Sequence, residues 1–329
     1  MATIKQVTQK NEGADCSNRR ALVAGGTQGI GAGIALRFAL SGASVWIIGR
    51  NEAKASDVLN TLCQASAEAA RRRGLDPGVA GESGKSMHEF FKADLSLTSE
   101  VKRVAGEVAE KAGKGGIDWL IETQGGPPNG TLEQTTEGTE SHYAVQCLSR
   151  IGLASLLAEK AIIKSAICMV AAPGQGGKGP IDLDDLDFLN AQRKGKWWGG
   201  VFGILKAGAR DSFVLDTAAQ CLAEKHPNIS VSHLFPGFVA TDAPKNQGFA
   251  WPIVQLGKIF GPIFGTRPGP GGYAEIPFYL LTHPEGQSYL ETGSANLLGP
   301  NLKKNQISPC VSDKQVRESL YSRVISWFN

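Results

Sequence analysis

The stretch LVAGGTQGIGAGIALRFA, Leu22–Ala39, decides the fold. With Arg20 and Ala21 before it, the stretch begins as a short buried strand, RALVAG, that runs into glycines. From Gly29 the apolar residues recur at helical spacing, and Gly42 stands past the end as a stop signal. Gly25, Gly29 and Gly31 therefore lie between a strand and a helix. Glycines there permit a tight turn and let backbone approach a pyrophosphate, whose charge meets the amide groups at the helix N-terminus. A glycine string alone says little, but strand before and helix after supply the required context.

Outward from this turn, strands and helices alternate. SVWIIG (Ser44–Gly49), HEFFKADL (His88–Leu95), IDWLIET (Ile117–Thr123), SAICMVAA (Ser165–Ala172) and ISVSHLFPG (Ile229–Gly237) read as strands, with SANLLG (Ser294–Gly299) as a short last one. Helices are expected over 52–73, 97–112, 133–160, 199–225 and 273–281. Such alternation predicts an α/β fold, a Rossmann-like doubly wound parallel sheet in a single domain, with ligand outside the carboxyl ends of the strands. Residues 1–19 read as a flexible lead-in, 20–300 as the nucleotide-binding domain with substrate-loop insertions at 173–198 and 241–272, and 301–329 as a helical tail.

Composition narrows the classes. Apolar residues make up 42% of the 329, enough for a core, and a net charge of +3 gives no case for nucleic-acid binding. Six scattered cysteines show no CxxC and no Cys/His cluster, so no metal is expected, and this usage fits a reducing, cytoplasmic setting. The polar N-terminus has no signal-like apolar run, and no segment is long and apolar enough for a clear membrane span. GVAGESGKS (Gly78–Ser86) is rejected as a Walker loop, because Val79 stands where that motif needs glycine.

The G-x-x-x-G-x-G spacing resembles the short-chain dehydrogenase/reductase family, with Ala24 in place of the family's first threonine. ADL (Ala93–Leu95) and PGFVAT (Pro236–Thr241) fall where the family contacts adenine and the nicotinamide carboxamide. The resemblance runs over roughly residues 20–300, and it is similar to fungal specialised-metabolism and retinol-dehydrogenase-like members. It implies a nicotinamide dinucleotide held by Gly25, Thr27, Gln28, Gly29, Ile30, Gly31, Asp94, Leu95, Lys206, Pro236, Gly237, Val239 and Thr241. Arg50 directly follows the second strand, where an acidic residue would accept from a ribose 2′-hydroxyl. A guanidinium suits a 2′-phosphate instead, so NADP(H) is expected over NAD(H).

The family reduces carbonyls with Asn, Ser, Tyr and Lys. Set against Tyr-x-x-Ser-Lys, FGILK places the lysine at Lys206, the tyrosine at Phe202 and the adjacent serine at Leu205. The catalytic serine maps to Ala171 or, preferably, Ala172, and the asparagine to Gln146. On this alignment only the lysine survives, and loss of a positioned acid typically costs about 10²–10⁴-fold. His142, Tyr143, Arg150, Lys196 and Lys206 are the available substitutes, and the sequence assigns catalysis to none of them. Trp197 and Trp198 are expected at the pocket rim. FAWPIVQLGKIFGPIFG (Phe249–Gly265) occupies the region that closes over substrate in the family, or else packs as core or as a dimer surface. The pocket should favour a bulky apolar metabolite.

Three functions stay open at this point. One is an atypical NADP(H)-dependent oxidoreductase acting at C=O, C=N or C=C. Another is a non-redox cyclase or isomerase on the same fold, and the third a catalytically dead nucleotide-binding protein. Family members are often dimeric or tetrameric, which leaves a homo-oligomer open.

Overall fold

In a computed structural model, the described residues are 3–74, 87–176, 181–242, 245, 247–248 and 265–329. They form one α/β domain around a seven-stranded sheet in the order β3-β2-β1-β4-β5-β6-β7, every pairing parallel. The strands are β1 (Arg20–Ala24), β2 (Ser44–Gly49), β3 (Glu89–Lys92), β4 (Ile117–Glu122), β5 (Ile163–Val170), β6 (Ser230–Leu234) and β7 (Ala295–Leu298). The helices are α1 (Ile4–Lys10), α2 (Gly29–Ala39), α3 (Glu52–Arg72), α4 (Thr98–Ala112), α5 (Ser141–Tyr143), α6 (Ser149–Glu159), α7 (Leu189–Arg193), α8 (Gly200–Lys225), α9 (Glu275–Thr282), α10 (Pro284–Gln287), α11 (Pro309–Ser312) and α12 (Lys314–Ile325).

Both faces of the sheet are covered, which is why its inner strands read as continuous apolar runs. Along β1, Leu22 and Ala24 join one core with α4, α6, α8 and α12, while Ala21 and Val23 join the other with α1, α2, α3 and α9. Register is regular through the centre, Val23 lying opposite Ile47 on one side and Ile121 on the other. The chain builds β1, β2 and β3 outward, then returns to place β4 on the far side of β1. The carboxyl ends of β1 and β4 diverge there, and a ligand crevice opens at such a reversal.

Two expectations on organisation need correction. The lead-in is ordered: Thr3 caps α1 in a reciprocal capping box with Gln6, and Val7 is buried. Asn11 Nδ2 donates to Glu275 Oε2 at 2.7 Å, and Arg37 holds both Glu275 and the Asn11 carbonyl. The helix expected from 133 begins only at Ser141, where the Glu140 carboxylate accepts from the His142 and Tyr143 amides. The C-terminal tail is part of the core, with Val311, Leu320, Tyr321, Val324 and Phe328 packed against its α4, α6 and α8 face.

Among the described residues no helix is long and apolar enough to cross a membrane, and no cluster of three or more His, Cys, Asp or Glu is placed to hold a metal. Cys147, Cys168 and Cys221 are buried as small apolar groups, and so is Cys16. Gly78–Ser86 and nearly all of Phe249–Gly265 lie outside the described residues.

Candidate active site

A cleft of about 1040 Å³ lies across the carboxyl ends of the strands. Its floor is the glycine turn. Gly25 has φ +76°, a conformation that favours glycine, and a Cβ there would stand 2.7 Å from the Gln124 amide nitrogen. A Cβ on Gly31 would stand 2.4 Å from both the Gly25 carbonyl oxygen and Thr123 Oγ1. The Gln28 side chain makes no capping bond to α2, whose first residues Gly29, Ile30 and Gly31 border the cleft. The Gln28 side chain, at the cap position, is taken by Lys54.

Every residue expected to hold the dinucleotide lines this cleft except Lys206: Gly25, Thr27, Gln28, Gly29, Ile30, Gly31, Arg50, Asp94, Leu95, Pro236, Gly237, Val239 and Thr241. Arg50 is exposed at the end of β2. Asp94 is held in place by accepting from the Ser96 amide and hydroxyl.

The far wall departs from expectation. Phe202 is 70% exposed and Leu205 65%, and with Lys196, Trp198 and Lys206 they border a separate surface depression of about 450 Å³. Lys206 Nζ sits 4.7 Å from the centre of the Phe188 ring. Trp198 is 74% exposed. Trp197 stacks on Phe188 and donates to the Gly130 carbonyl at 3.4 Å. None of Lys206, Phe202, Trp197 or Trp198 lines the main cleft. The cause is helix phase. The face of α8 that reaches the cleft carries Gly208, Asp211, Ser212 and Leu215. Gly208 and Ser212 keep the one-turn spacing of Phe202 and Lys206 but come six residues later, which turns their direction by about 120°.

Ala171, Ala172 and Gln146 do line the cleft. Gln146 lies in a π turn, Ala144–Leu148, between α5 and α6. Its Oε1 accepts from the Gly126 amide at 3.3 Å and lies 3.4 Å from Arg150 Nη2. Ser212 and Asp216 hold the segment after β5: Gln175 N donates to Ser212 Oγ at 2.8 Å and Gly174 N to Asp216 Oδ2 at 2.9 Å.

Of the sequence's substitute acids, Tyr143 is wholly buried against the Arg210 guanidinium, and burial pushes its phenol well up. Arg150 is enclosed, donating to carbonyls of Glu122, Gln124 and Val170. His142 is different. It lines the cleft, and its Nε2 lies 2.7 Å from Asp211 Oδ2. Asp211 is the residue sequence reading missed. Burial alone would raise its carboxyl, but Arg210 and His142 outweigh this and hold it below the usual carboxylate range. Among the described residues no lysine, tyrosine or cysteine lines the cleft.

Comparison with known proteins adds the following. Residues 19–76 match the family described as short chain dehydrogenase. The chain is 27% identical over 250 residues to an oxidoreductase of Emericella nidulans, a match covering 75% of this chain and 66% of that protein. The matched segment thus spans just under two thirds of that relative's length. An uncharacterised protein of Mycobacterium paratuberculosis has a similar structure, with TM-score 0.62, 15% identity and coverage of 97% and 96% of the two chains. A short chain dehydrogenase of Burkholderia cenocepacia, solved in complex with NADP, is similar with TM-score 0.53, 20% identity and coverage of 87% and 98%. At these identities the structural likenesses speak to the fold.

Proposed function

From the premise that this chain has the fold and the nucleotide turn of the short-chain dehydrogenase/reductase family, we propose that it is an NADP(H)-dependent oxidoreductase acting on a bulky apolar metabolite. One observation carries the reading: the glycine turn, Arg50, Asp94 and the 236–241 segment come from four different strand ends and line one continuous cleft. The residues present fit a dinucleotide. The close approach of Gly25 and Gly31 to their neighbours leaves backbone at the cleft floor, where the start of α2 suits a pyrophosphate. Arg50 supplies a fork for a 2′-phosphate.

A bound nicotinamide exchanges a hydride with carbon at C=O, C=N or C=C. The chain's own contribution is shape, apolar surface and proton supply. Val145, Ala171, Ala172, Leu215, Phe235 and Phe238 give the inner cleft an apolar wall, and Phe238 stays 56% exposed at its edge. Such a wall favours an apolar substrate and a dry reaction centre. The family's tyrosine and lysine positions are assigned to Gly208 and Ser212, so both members of that pair are replaced, rather than the tyrosine alone.

That double replacement favours a second reading, a non-redox cyclase or isomerase that retains the nucleotide. Purified protein should be incubated with NADPH and a set of apolar aldehydes, ketones, imines and enones, following nicotinamide absorbance and product mass together. NADPH consumption matched to a reduced product supports the oxidoreductase. Rearranged product of unchanged mass, without NADPH consumption, replaces it with the isomerase.

A further inference from the structure

We propose that His142, held by Asp211, is the proton donor of this cleft and takes over the role of the missing tyrosine–lysine pair. The proposal rests on the reductase reading above and names the residue that completes its chemistry.

Asp211 is 4% exposed, and its two oxygens are separately engaged. Oδ1 accepts from Arg210 Nε at 2.7 Å and from Cys147 Sγ at 3.4 Å, while Oδ2 faces His142 Nε2 at 2.7 Å. Arg210 is itself fixed by the Leu186 carbonyl at 2.6 Å and by the Tyr143 ring. Asp211 is therefore an anion with no proton to give, and it can only accept from the imidazole. That places a hydrogen on Nε2 in both charge states of the ring. Nδ1 becomes the nitrogen that gains and loses a proton, as when a buried carboxylate fixes the tautomer of a catalytic histidine. No described residue hydrogen-bonds Nδ1, and the ring borders the cleft.

Position agrees. His142 lies one helical turn before Gln146 and faces the α8 surface that carries Gly208, Asp211 and Ser212. The other ionisable side chains that line the described cleft are the guanidiniums Arg50 and Arg150 and the carboxylates Asp94, Glu133, Glu140 and Asp242. A guanidinium does not release its proton in a protein. Glu140 is occupied by two backbone amides and Asp94 by Ser96. Glu133 and Asp242 are exposed. His142 is the one imidazole among the described residues that line the cleft, and an imidazole nitrogen can both give and accept a proton. The charged and titratable groups around it are Asp211 and Arg210 from α8, Glu140 at the start of its own helix, and Cys147 from the π turn.

For a carbonyl substrate the step balances as follows. Hydride from a bound reduced nicotinamide would add to the carbonyl carbon as the C=O π pair moves to oxygen. Nδ1–H of the imidazolium gives its proton to that oxygen. The ring is left neutral, with Nε2–H still on Asp211, and regains its proton from water.

The test uses the full chain with NADPH and two carbonyl probes, decanal and phenanthrenequinone. Nicotinamide fluorescence measures NADPH binding, and imidazole nitrogen NMR follows the titration of His142 independently of turnover. We expect the wild-type rate to fall as pH rises through the midpoint that NMR gives for His142. His142→Gln should bind NADPH within a few-fold of wild type, lose about 10²–10⁴-fold in turnover and lose that limb of the profile. Asp211→Asn should lower the NMR midpoint and move the kinetic limb with it. Should that buried substitution not fold, His142→Gln decides alone. Wild-type turnover and an unchanged profile in His142→Gln overturn the assignment. So does a kinetic limb that ignores the NMR midpoint, or tight NADPH binding with neither probe reduced. Failure of the wild type to bind NADPH instead removes the reductase reading beneath it.

Discussion

Arg150 Nη1 lies 2.9 Å from the Val170 carbonyl oxygen, so a guanidinium from α6 closes the end of β5 beneath the cleft. The same group donates to the Glu122 carbonyl at 3.1 Å and to Gln124, tying the end of β4 to β5. The Glu122 carboxyl is wholly buried beside it, and burial pushes it well up against the pull of Arg150. Arg150→Leu should leave these carbonyls without their donor and cost about 3–5 kcal/mol, as expected when one partner of a buried charged network is removed. Urea unfolding measures it. A loss below about 1 kcal/mol would mean that the strand ends hold without the guanidinium.

Arg50 decides cofactor choice on this account. Charge-assisted hydrogen bonds are worth about 1.5–3 kcal/mol, so Arg50→Ala should weaken NADPH about ten- to a hundredfold. NADH should change little. Paired titrations check this, and equal weakening of both nucleotides would take the 2′-phosphate away from Arg50.

The legibility of these features differed for physical reasons. The glycine turn and the parallel strands carry their signal locally, in glycines between apolar runs, and seven strands stand close to where the sequence places them. The phase of α8 is not local. FGILK imitates the reference motif in residue type, but which face meets the sheet depends on packing along the whole helix. Ala207, Val214, Ala218 and Leu222 mark that buried face, and their spacing was the available signal. Long-range polar contacts were invisible too. Nothing near Asn11 announces Glu275, and nothing near His142 announces Asp211. The expected start of a helix at 133 failed because the acceptor that begins it is Glu140, eight residues before Leu148 and well inside the periodic stretch.

The corrected phase of α8 has its own consequence. Lys206→Ala should leave NADPH affinity within about twofold of wild type, since its ammonium sits over Phe188, where such a contact is worth roughly 0.5–1 kcal/mol. Phe202→Tyr, even with Ala172→Ser, should not raise carbonyl reduction. A large loss of NADPH binding in Lys206→Ala would restore Lys206 to the cofactor site.

Stability should depend on pH through His88. It is buried between β2 and α3, its Nδ1 accepting from the Val45 amide at 3.1 Å and its Nε2 lying 2.9 Å from Ser66 Oγ. Burial pushes it down from 6.5 to about 4. Between those values the unfolded chain binds a proton that the folded chain refuses. Stability should therefore fall as pH drops from 6.5 towards 4, by roughly 3 kcal/mol from this group. His88→Asn should flatten that part of the profile in thermal unfolding at several pH values. An unchanged slope would place the pH dependence elsewhere.

The most direct measurement is a fluorescence titration of wild type and Gly31→Ala with NADPH. The glycine turn should bind NADPH in the wild type. The added Cβ, built 2.4 Å from the Gly25 carbonyl oxygen, should weaken binding at least about tenfold, with the fold checked by circular dichroism. A wild-type protein that binds no NADPH, or a Gly31→Ala protein that binds it equally well, would contradict the account.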